Sequence, residues 1–437
     1  MKRRSFIEAI PGPFLLAILL SITTMLLAFI LMRPENSGSG TYLADILGFW
    51  YTGFWSLLSF TMQMMLILVL GHVLALTPAA SAIIDFFLKQ CKSQGALVFF
   101  IMLLTLFIAL FNWGMGLIFG AVMARKAGEY AARNDIAVNY PLLGAAGYSG
   151  LMVWHGGLSG SAPLKVAEPG HFLESQAGVI PVSETLFSDM NLAISAALIL
   201  LLPLFMWLIS KRVKVRVPEE LKILRPKKAE MQKPTRSWLM NGFGLLILIS
   251  AVVAAARSEG GLMNILTLNY VNFLLFGLGM LLMPAMRSYL RAVDEAILGA
   301  AGILIQFPLY AGIMGIMADS GLLREFTGFF ISISNSTTLP LFTFISAGLV
   351  NLFVPSGGGQ WALQGPIIIE AAKTLGVPLQ KAVMALAYGD QITNMLQPFW
   401  ALPLLGVTGL KAQQLLPYTA LLLLAGSVIF VTGLLLW

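Results

Sequence analysis

The chain has 437 residues, of which 58% are hydrophobic and only 11% charged, with a mean hydropathy of +0.85. An ordinary soluble domain carries roughly one quarter charged residues, so a water-soluble fold is excluded. The net charge of +7 does not point to nucleic acid, because much of the excess is confined to one stretch between Lys211 and Arg236.

The charges cluster, and the uncharged runs between them reach the 18 to 20 or so residues that cross a bilayer as helix. Lys2, Arg3 and Arg4 precede an apolar run that is too long for a secretory leader and lacks a small-residue cleavage site, so 13–33 is expected to be a retained first span. A second span is expected over 50–77. Cys91 is the only cysteine, which rules out an internal disulfide and leaves a small buried apolar residue as its ordinary reading.

The run 93–124 is expected to enter and return on one side, turning near Asn112-Trp113-Gly114-Met115-Gly116, since a full crossing would put Arg125, Lys126 and Arg133 outside. Irregular backbone at membrane depth is tolerated only against protein or a watery cavity. The plainer alternative is a long tilted helix whose glycines allow close packing. Spans over 141–163 and 188–209 complete a first transmembrane repeat, residues 1–210.

Residues 211–236 hold ten basic residues and Pro218, Pro226 and Pro234, and read as a basic cytoplasmic linker. Beyond it, spans near 238–256, 267–284 and 296–318, a hairpin near 341–372, and spans at 382–405 and 413–436 form a second repeat, 237–437, with one extra span at its start. Fourteen residues separate Tyr148 from Pro163 and Tyr388 from Pro403. Asn112 precedes Tyr148 by 36 positions and Asn351 precedes Tyr388 by 37, while Gln63–Phe87 and Gln306–Phe330 are both 24 apart. The expected fold is an all-α polytopic membrane protein of two inverted repeats, each with a re-entrant hairpin and broken helices, with about 9–11 transmembrane segments, as in many secondary transporters.

Candidate functional residues lie where the spans are polar and irregular. In Asn351-Leu-Phe-Val-Pro-Ser-Gly-Gly-Gly-Gln360-Trp361, Pro355 and the three glycines free amides, and a helix opening at Gln360 offers a positive end to an anion. A surface turn is the alternative. Asp390, Asn394 and Gln397 share a helix face, and a carboxylate in hydrocarbon marks an ion or proton pathway unless it sits at a helix end. The matching first-half segment runs from Tyr148 to Pro163 and offers hydroxyls and glycines. Within it, His155 reads more readily as a hydrogen-bonded structural residue than as a pH sensor. Gln63 and Gln306 are balanced between helix–helix contacts and a site wall, and His72 and His171 add nothing. Phosphate-binding loops, His-Glu-x-x-His helices and Cys-x-x-Cys pairs are absent from the sequence, so no familiar enzyme is indicated.

Phe111-Asn-Trp-Gly114, Gly178-Val-Ile-Pro181, Val354-Pro-Ser-Gly-Gly-Gly359, Gln364-Gly-Pro366 and Gln397-Pro-Phe-Trp-Ala-Leu-Pro403 resemble the bacterial short-chain fatty acid transporters over almost the whole chain. The resemblance implies secondary active uptake of short monocarboxylates such as acetoacetate and butyrate across a bacterial cytoplasmic membrane. It also implies kinship with the ion transporter superfamily, whose paired hairpins slide against a dimeric scaffold, often with sodium. Here the tips depart from the superfamily's Ser-Asn-Thr patterns, so ion ligands do not carry over residue by residue.

The expected site combines both hairpin tips with the two broken spans. Substrate contacts are expected from Asn112, Trp113, Gly114, Ser159, Ser161, Ser356, Gly357, Gly358, Gly359, Gln360 and Trp361, with Trp113 and Trp361 walling the apolar tail. Asn351, Asp390, Gln391 and Asn394 are expected to hold a coupling ion, sodium or a proton. No cofactor, no certain metal and no nucleic acid are expected, and a homodimer in the bilayer is. The alternative is a carrier for another small organic anion such as a dicarboxylate; a lipid-acting enzyme and a passive channel are rivals of other classes.

Overall fold

The computed structural model describes residues 13–171, 173–218, 237–257 and 268–437. The Lys2–Arg4 start and most of the basic linker, including Lys222, Arg225, Lys227, Lys228, Lys233 and Arg236, lie outside them. Secondary structure among the described residues is helical apart from an isolated bridge in which Val138 and Arg216 exchange backbone hydrogen bonds of 2.9 and 3.1 Å. Where water is excluded the backbone must pair with itself, which favours helices throughout.

Six described helices are long and apolar enough to cross a membrane: Phe14–Leu31, Gln94–Phe111, Asp189–Ser210, Trp238–Arg257, Ala300–Asp319 and Ala412–Leu436. Large apolar side chains point outward along them and their neighbours, as with Leu239 at 79% and Leu298 at 81% exposure. Such a surface suits lipid and is a liability in water. The protein is therefore an all-α, multi-pass membrane protein.

The opening helices are α1 (Pro13–Leu31), α2 (Ser39–Phe54), α3 (Leu58–Ala75) and α4 (Pro78–Lys89). The single span expected over 50–77 is instead two helices that meet at 55–57. Just before the break α2 packs closely: a Cβ on Gly53 would come within 2.8 Å of the Gly315 Cα, so α2 lies flush on the long helix one residue before it ends.

The re-entrant turn falls where the sequence places it. α5 (Gln94–Phe111) and α6 (Trp113–Arg133) are separated by Asn112 alone, in extended conformation. They fold back on each other closely enough that a Cβ at Gly116 would stand 2.4 Å from the Ala109 Cβ. The next span is broken: α7 (Tyr140–Tyr148) passes into a 3-10 turn over Ser149–Met152, then into irregular chain before the short α8 (Ser161–Lys165). After α9 (Glu174–Ala177), α10 (Asp189–Ser210) closes the unit.

Beyond the linker come α11 (Trp238–Arg257), α12 (Leu268–Leu282), the 34-residue α13 (Met286–Asp319) and α14 (Leu322–Ser332). α13 starts ten positions before its expected apolar core, and Arg291 and Glu295 pair at 3.0 Å on its exposed first turns. Then α15 (Leu339–Asn351) and α16 (Gly357–Leu375) form a second hairpin, α17 (Leu379–Thr393) breaks through a 3-10 turn into α18 (Pro398–Thr408), and α19 (Ala412–Leu436) closes the chain. The order of hairpin, broken helix and closing helix thus occurs twice.

The paired glutamines fall outside the irregular segments. Gln63 donates from Nε2 to Asn269 Oδ1 at 2.9 Å, joining α3 to α12, and Gln306 is buried in α13. Gln63 is therefore a helix–helix contact.

Candidate functional site

Each hairpin tip is built by a helix cap. Asn112 turns the chain between α5 and α6, and its Oδ1 accepts the Met115 amide at 3.0 Å. In the second hairpin the same task falls to Ser356, whose Oγ accepts the Gly359 amide at 3.2 Å. The structural counterpart of Asn112 is therefore Ser356, whereas the spacing pairs it with Asn351, which ends the preceding arm. Both caps are ordinary chemistry for the first turn of a helix, where amides lack intrahelical partners.

The broken segment between the tips carries His155. Its Nδ1 accepts the Ser161 amide at 3.1 Å and its own amide donates to Gln391 Oε1 at 2.7 Å. With Nδ1 occupied as an acceptor, the neutral ring carries its proton on Nε2. Nε2 stands 2.7 Å from Asp390 Oδ2, and both side chains are almost wholly buried. The atoms are at ion-pair distance, yet neither completes a well-aligned hydrogen bond, so both keep unmet capacity.

The second tip closes on this pair. A Cβ built on Gly357 would lie 2.4 Å from His155 Cε1, 2.7 Å from Nε2 and 2.9 Å from Asp390 Oδ2. Only glycine fits there. At Gly358, by contrast, a Cβ would meet open space. The first tip reaches the same segment from the other side, because the Trp113 amide donates to Ser159 Oγ at 3.0 Å and the Trp113 ring lies 4.8 Å from Trp154. Trp154 in turn stacks on His155 at 4.3 Å and meets Trp400 edge-on at 5.0 Å. Its Nε1 donates to the Ser159 carbonyl at 2.9 Å.

The break in α17 frees carbonyls that side chains take up. Asn351 Nδ2 faces the Asp390 carbonyl at 2.6 Å, Asn394 Oδ1 at 2.8 Å and Thr393 Oγ1 at 3.0 Å. The Tyr148 hydroxyl donates to the Asn394 carbonyl at 2.8 Å, and Gln397 Nε2 donates to the Asn351 carbonyl. Four more buried polar atoms around Asp390 have no partner: Asn351 Oδ1, Gln391 Nε2, Asn394 Nδ2 and Gln397 Oε1. Buried polar groups are ordinarily satisfied, so a set this dense marks a place for a polar guest.

Of the residues expected from sequence, Trp113, Ser159, Ser161, Gly357, Asn351, Asp390, Gln391 and Asn394 converge on this assembly, with Asn112, Gly114, Ser356, Gly358 and Gly359 at its two tips. Two stand apart. Gln360 Nε2 points back along its own hairpin to the Ala347 carbonyl and Gln364 Oε1, both at 2.8 Å. Trp361 packs into a separate apolar cluster with Leu173 and Ala162, away from the one that holds Trp113, so the two tryptophans do not share a wall. His155, Trp154 and Trp400 join the site without having been singled out for it. Their sequence signal was the run Trp154-His155-Gly156-Gly157, whose partner across the fold no local pattern discloses.

A family model described as short chain fatty acid transporter matches residues 3–437. A protein of Escherichia coli K12, assigned as a short-chain fatty acid transporter, is 40% identical over 444 aligned residues, covering 97% of this chain and 96% of that protein. A Haemophilus influenzae Rd protein with the same assignment is 35% identical at the same coverage. Among solved structures, the Alcanivorax borkumensis YdaH transporter aligns at 17% identity over 96% of this chain and 98% of its own, with a TM-score of 0.44. Neisseria gonorrhoeae MtrF, described within a class of antimetabolite efflux pumps, aligns at 15% identity over 98% and 97%, with a TM-score of 0.43.

Proposed function

This chain belongs to the short-chain fatty acid transporter family, multi-pass transporters of the inner membrane and not enzymes, and from that premise we propose cation-coupled uptake of short monocarboxylates such as acetoacetate and butyrate. The observation that carries the coupling is the seat of Gly357 against His155 and Asp390.

The second tip offers first-turn amides and the positive end of α16 to a carboxylate. That carboxylate then stands beside Asp390, and two buried carboxylates side by side repel strongly. A cation bound first removes the repulsion: a proton on the His155–Asp390 pair, or sodium at Asp390 and the unpartnered oxygens of Asn351 and Gln397. Binding of the anion thus depends on prior binding of the cation, which is symport. Trp113, Trp154 and Trp400 supply the apolar wall for a short alkyl tail. Among the described residues, those gathered around Asp390 include no Arg or Lys, which disfavours a dicarboxylate, whose second charge calls for a cationic partner. A homodimer belongs to the same reading and is tested by sedimentation in detergent.

Uptake of radiolabelled butyrate and acetoacetate into proteoliposomes, with sodium and pH gradients imposed separately, tests the proposal. Accumulation driven by one gradient supports symport and names the cation. Equilibration without accumulation makes the protein a passive route, and no uptake of either acid removes the substrate assignment.

A further inference from the structure

Away from the tips, a cavity of about 700 Å³ opens at the base of the two broken spans. Its wall combines Arg125 from α6, Asn139 and Tyr140 at the start of α7, Lys214 and Arg216 beyond α10, and Lys411 before α19. Among the described residues, four cations line it and no carboxylate does. Glu129, outside the lining, offsets Arg125 through a 2.8 Å pair. Lys214 and Lys411 form no ion pair among the described residues. Lys214 and Lys411 are thus like charges held in one concavity, where they repel each other, and an anion there relieves the repulsion.

The cavity also lies just beyond the end of α10, a helix long and apolar enough to cross a membrane. Near the end of α10, Lys211 sits 3.4 Å above the ring of Trp207, the aromatic–cation arrangement typical of the headgroup layer. Immediately before it, Leu204 and Leu208 are about half exposed on the outer face of α10, and Val215 of the cavity wall is 47% exposed. An anion held by Lys214 and Lys411 therefore has an apolar helix face beside it, where acyl chains can lie. A free carboxylate of four carbons is far smaller than the cavity.

We propose that this cavity binds the phosphate headgroup of an anionic phospholipid, bridging the first-half elements α6, α7 and 214–218 to the second-half junction 408–414. Basic pockets between transmembrane helices at the positive-inside surface hold such headgroups by charge-assisted hydrogen bonds.

The test is thermal unfolding of the full chain in a neutral detergent, titrated with phosphatidylglycerol, phosphatidylcholine or inorganic phosphate, with native mass spectrometry counting retained lipid. Phosphatidylglycerol is expected to raise the melting temperature by at least about 2 °C and to be retained, phosphatidylcholine and phosphate to do neither. K214Q/K411Q is expected to lose the shift and K411R to keep it. Because the tips lie elsewhere, butyrate uptake by K214Q/K411Q in a neutral-lipid vesicle reports whether that variant is folded. An equal shift from inorganic phosphate would make this a free-anion site and overturn the lipid source. No shift in the wild type, or an undiminished one in K214Q/K411Q, would overturn the site itself.

Discussion

His155 Nε2 lies 2.7 Å from Asp390 Oδ2, and the two residues come from the two broken helices, one in each half of the chain. Removing either partner has unequal consequences. His155→Ala leaves a buried carboxylate without its neighbour, which costs about 1–3 kcal/mol and more where the acceptor is charged, whereas Asp390→Asn leaves a neutral ring facing a neutral amide. We expect His155→Ala to lower the melting temperature markedly and Asp390→Asn to change it little. The double variant His155→Ala/Asp390→Asn should recover the part of the loss owed to the stranded carboxylate, and not the part owed to the Ser161 amide and the Trp154 stack. An unaltered melting temperature in His155→Ala would show that the pair is not buried as described. Transport reads differently: Asp390→Asn should still bind into the membrane fold but lose gradient-driven accumulation, and retention of cation dependence would exclude Asp390 from coupling.

The neighbouring glycines make a sharper pair of variants. Ala at 357 forces its methyl into His155 and Asp390, a form of overpacking that costs about 1–3 kcal/mol, equivalent to roughly 5- to 150-fold in occupancy of the closed tip. Ala at 358 meets open space. Butyrate uptake should therefore fall at least about 5-fold in Gly357→Ala and stay near wild type in Gly358→Ala. Equal effects in both variants would mean that backbone freedom of the loop, and not the approach to His155, is what the glycines supply.

How much of this was legible beforehand divides along a physical line. The hairpin turn at Asn112 and the irregular Pro355–Gly359 loop announce themselves, because breaks in long apolar runs need residues that cap or relax the backbone. The broken second span was visible through Asp390 and Asn394 for the same reason. Tertiary pairing was not: nothing local links His155 to Asp390, and a lone histidine beside glycines reads as structural. Regular spacing also misled where insertions differ between the halves, pairing Asn112 with Asn351 when the capping role lies at Ser356. The expected wall of Trp113 and Trp361 failed because Trp361 faces the 162–180 region, an orientation set by which side of α16 packs against Leu173. The break at 55–57 escaped notice since both flanking helices are apolar and the junction Trp55-Ser56-Leu57 carries no proline.

The caps can be tested independently of transport. Asn112→Ala and Ser356→Ala each remove one side-chain acceptor for a first-turn amide, at about 0.5–2 kcal/mol. Both should lower the melting temperature modestly. Ser356 has a further role in the proposed site, since its hydroxyl accepts from Gly359 while its own proton remains available to a carboxylate. KM for butyrate should then rise several-fold in Ser356→Ala and change little in Asn112→Ala. Identical KM values for the two variants would leave Ser356 as a cap alone.

Gly120 of α6 and Gly147 of α7 set how close the first hairpin approaches the broken span. A Cβ on Gly120 would come 1.9 Å from the Gly147 carbonyl oxygen, and one on Gly147 would come 2.2 Å from the Gly120 carbonyl oxygen. The obstacle in both directions is backbone, which cannot rotate away as a side-chain tip can. Small residues at such crossings let helices in a membrane pack through van der Waals contact where no hydrophobic drive separates protein from lipid. Either alanine must push α6 and α7 apart, and with them the Trp113 and Trp154 rings that pack at 4.8 Å. Gly120→Ala and Gly147→Ala are thus each expected to cost about 3 kcal/mol or somewhat more, the upper end of overpacking. The double variant should cost less than the sum, because the first methyl has already opened the crossing for the second. Thermal unfolding in detergent measures all three. Additive losses would mean that the two glycines act at separate contacts and that α6 and α7 do not cross at this point.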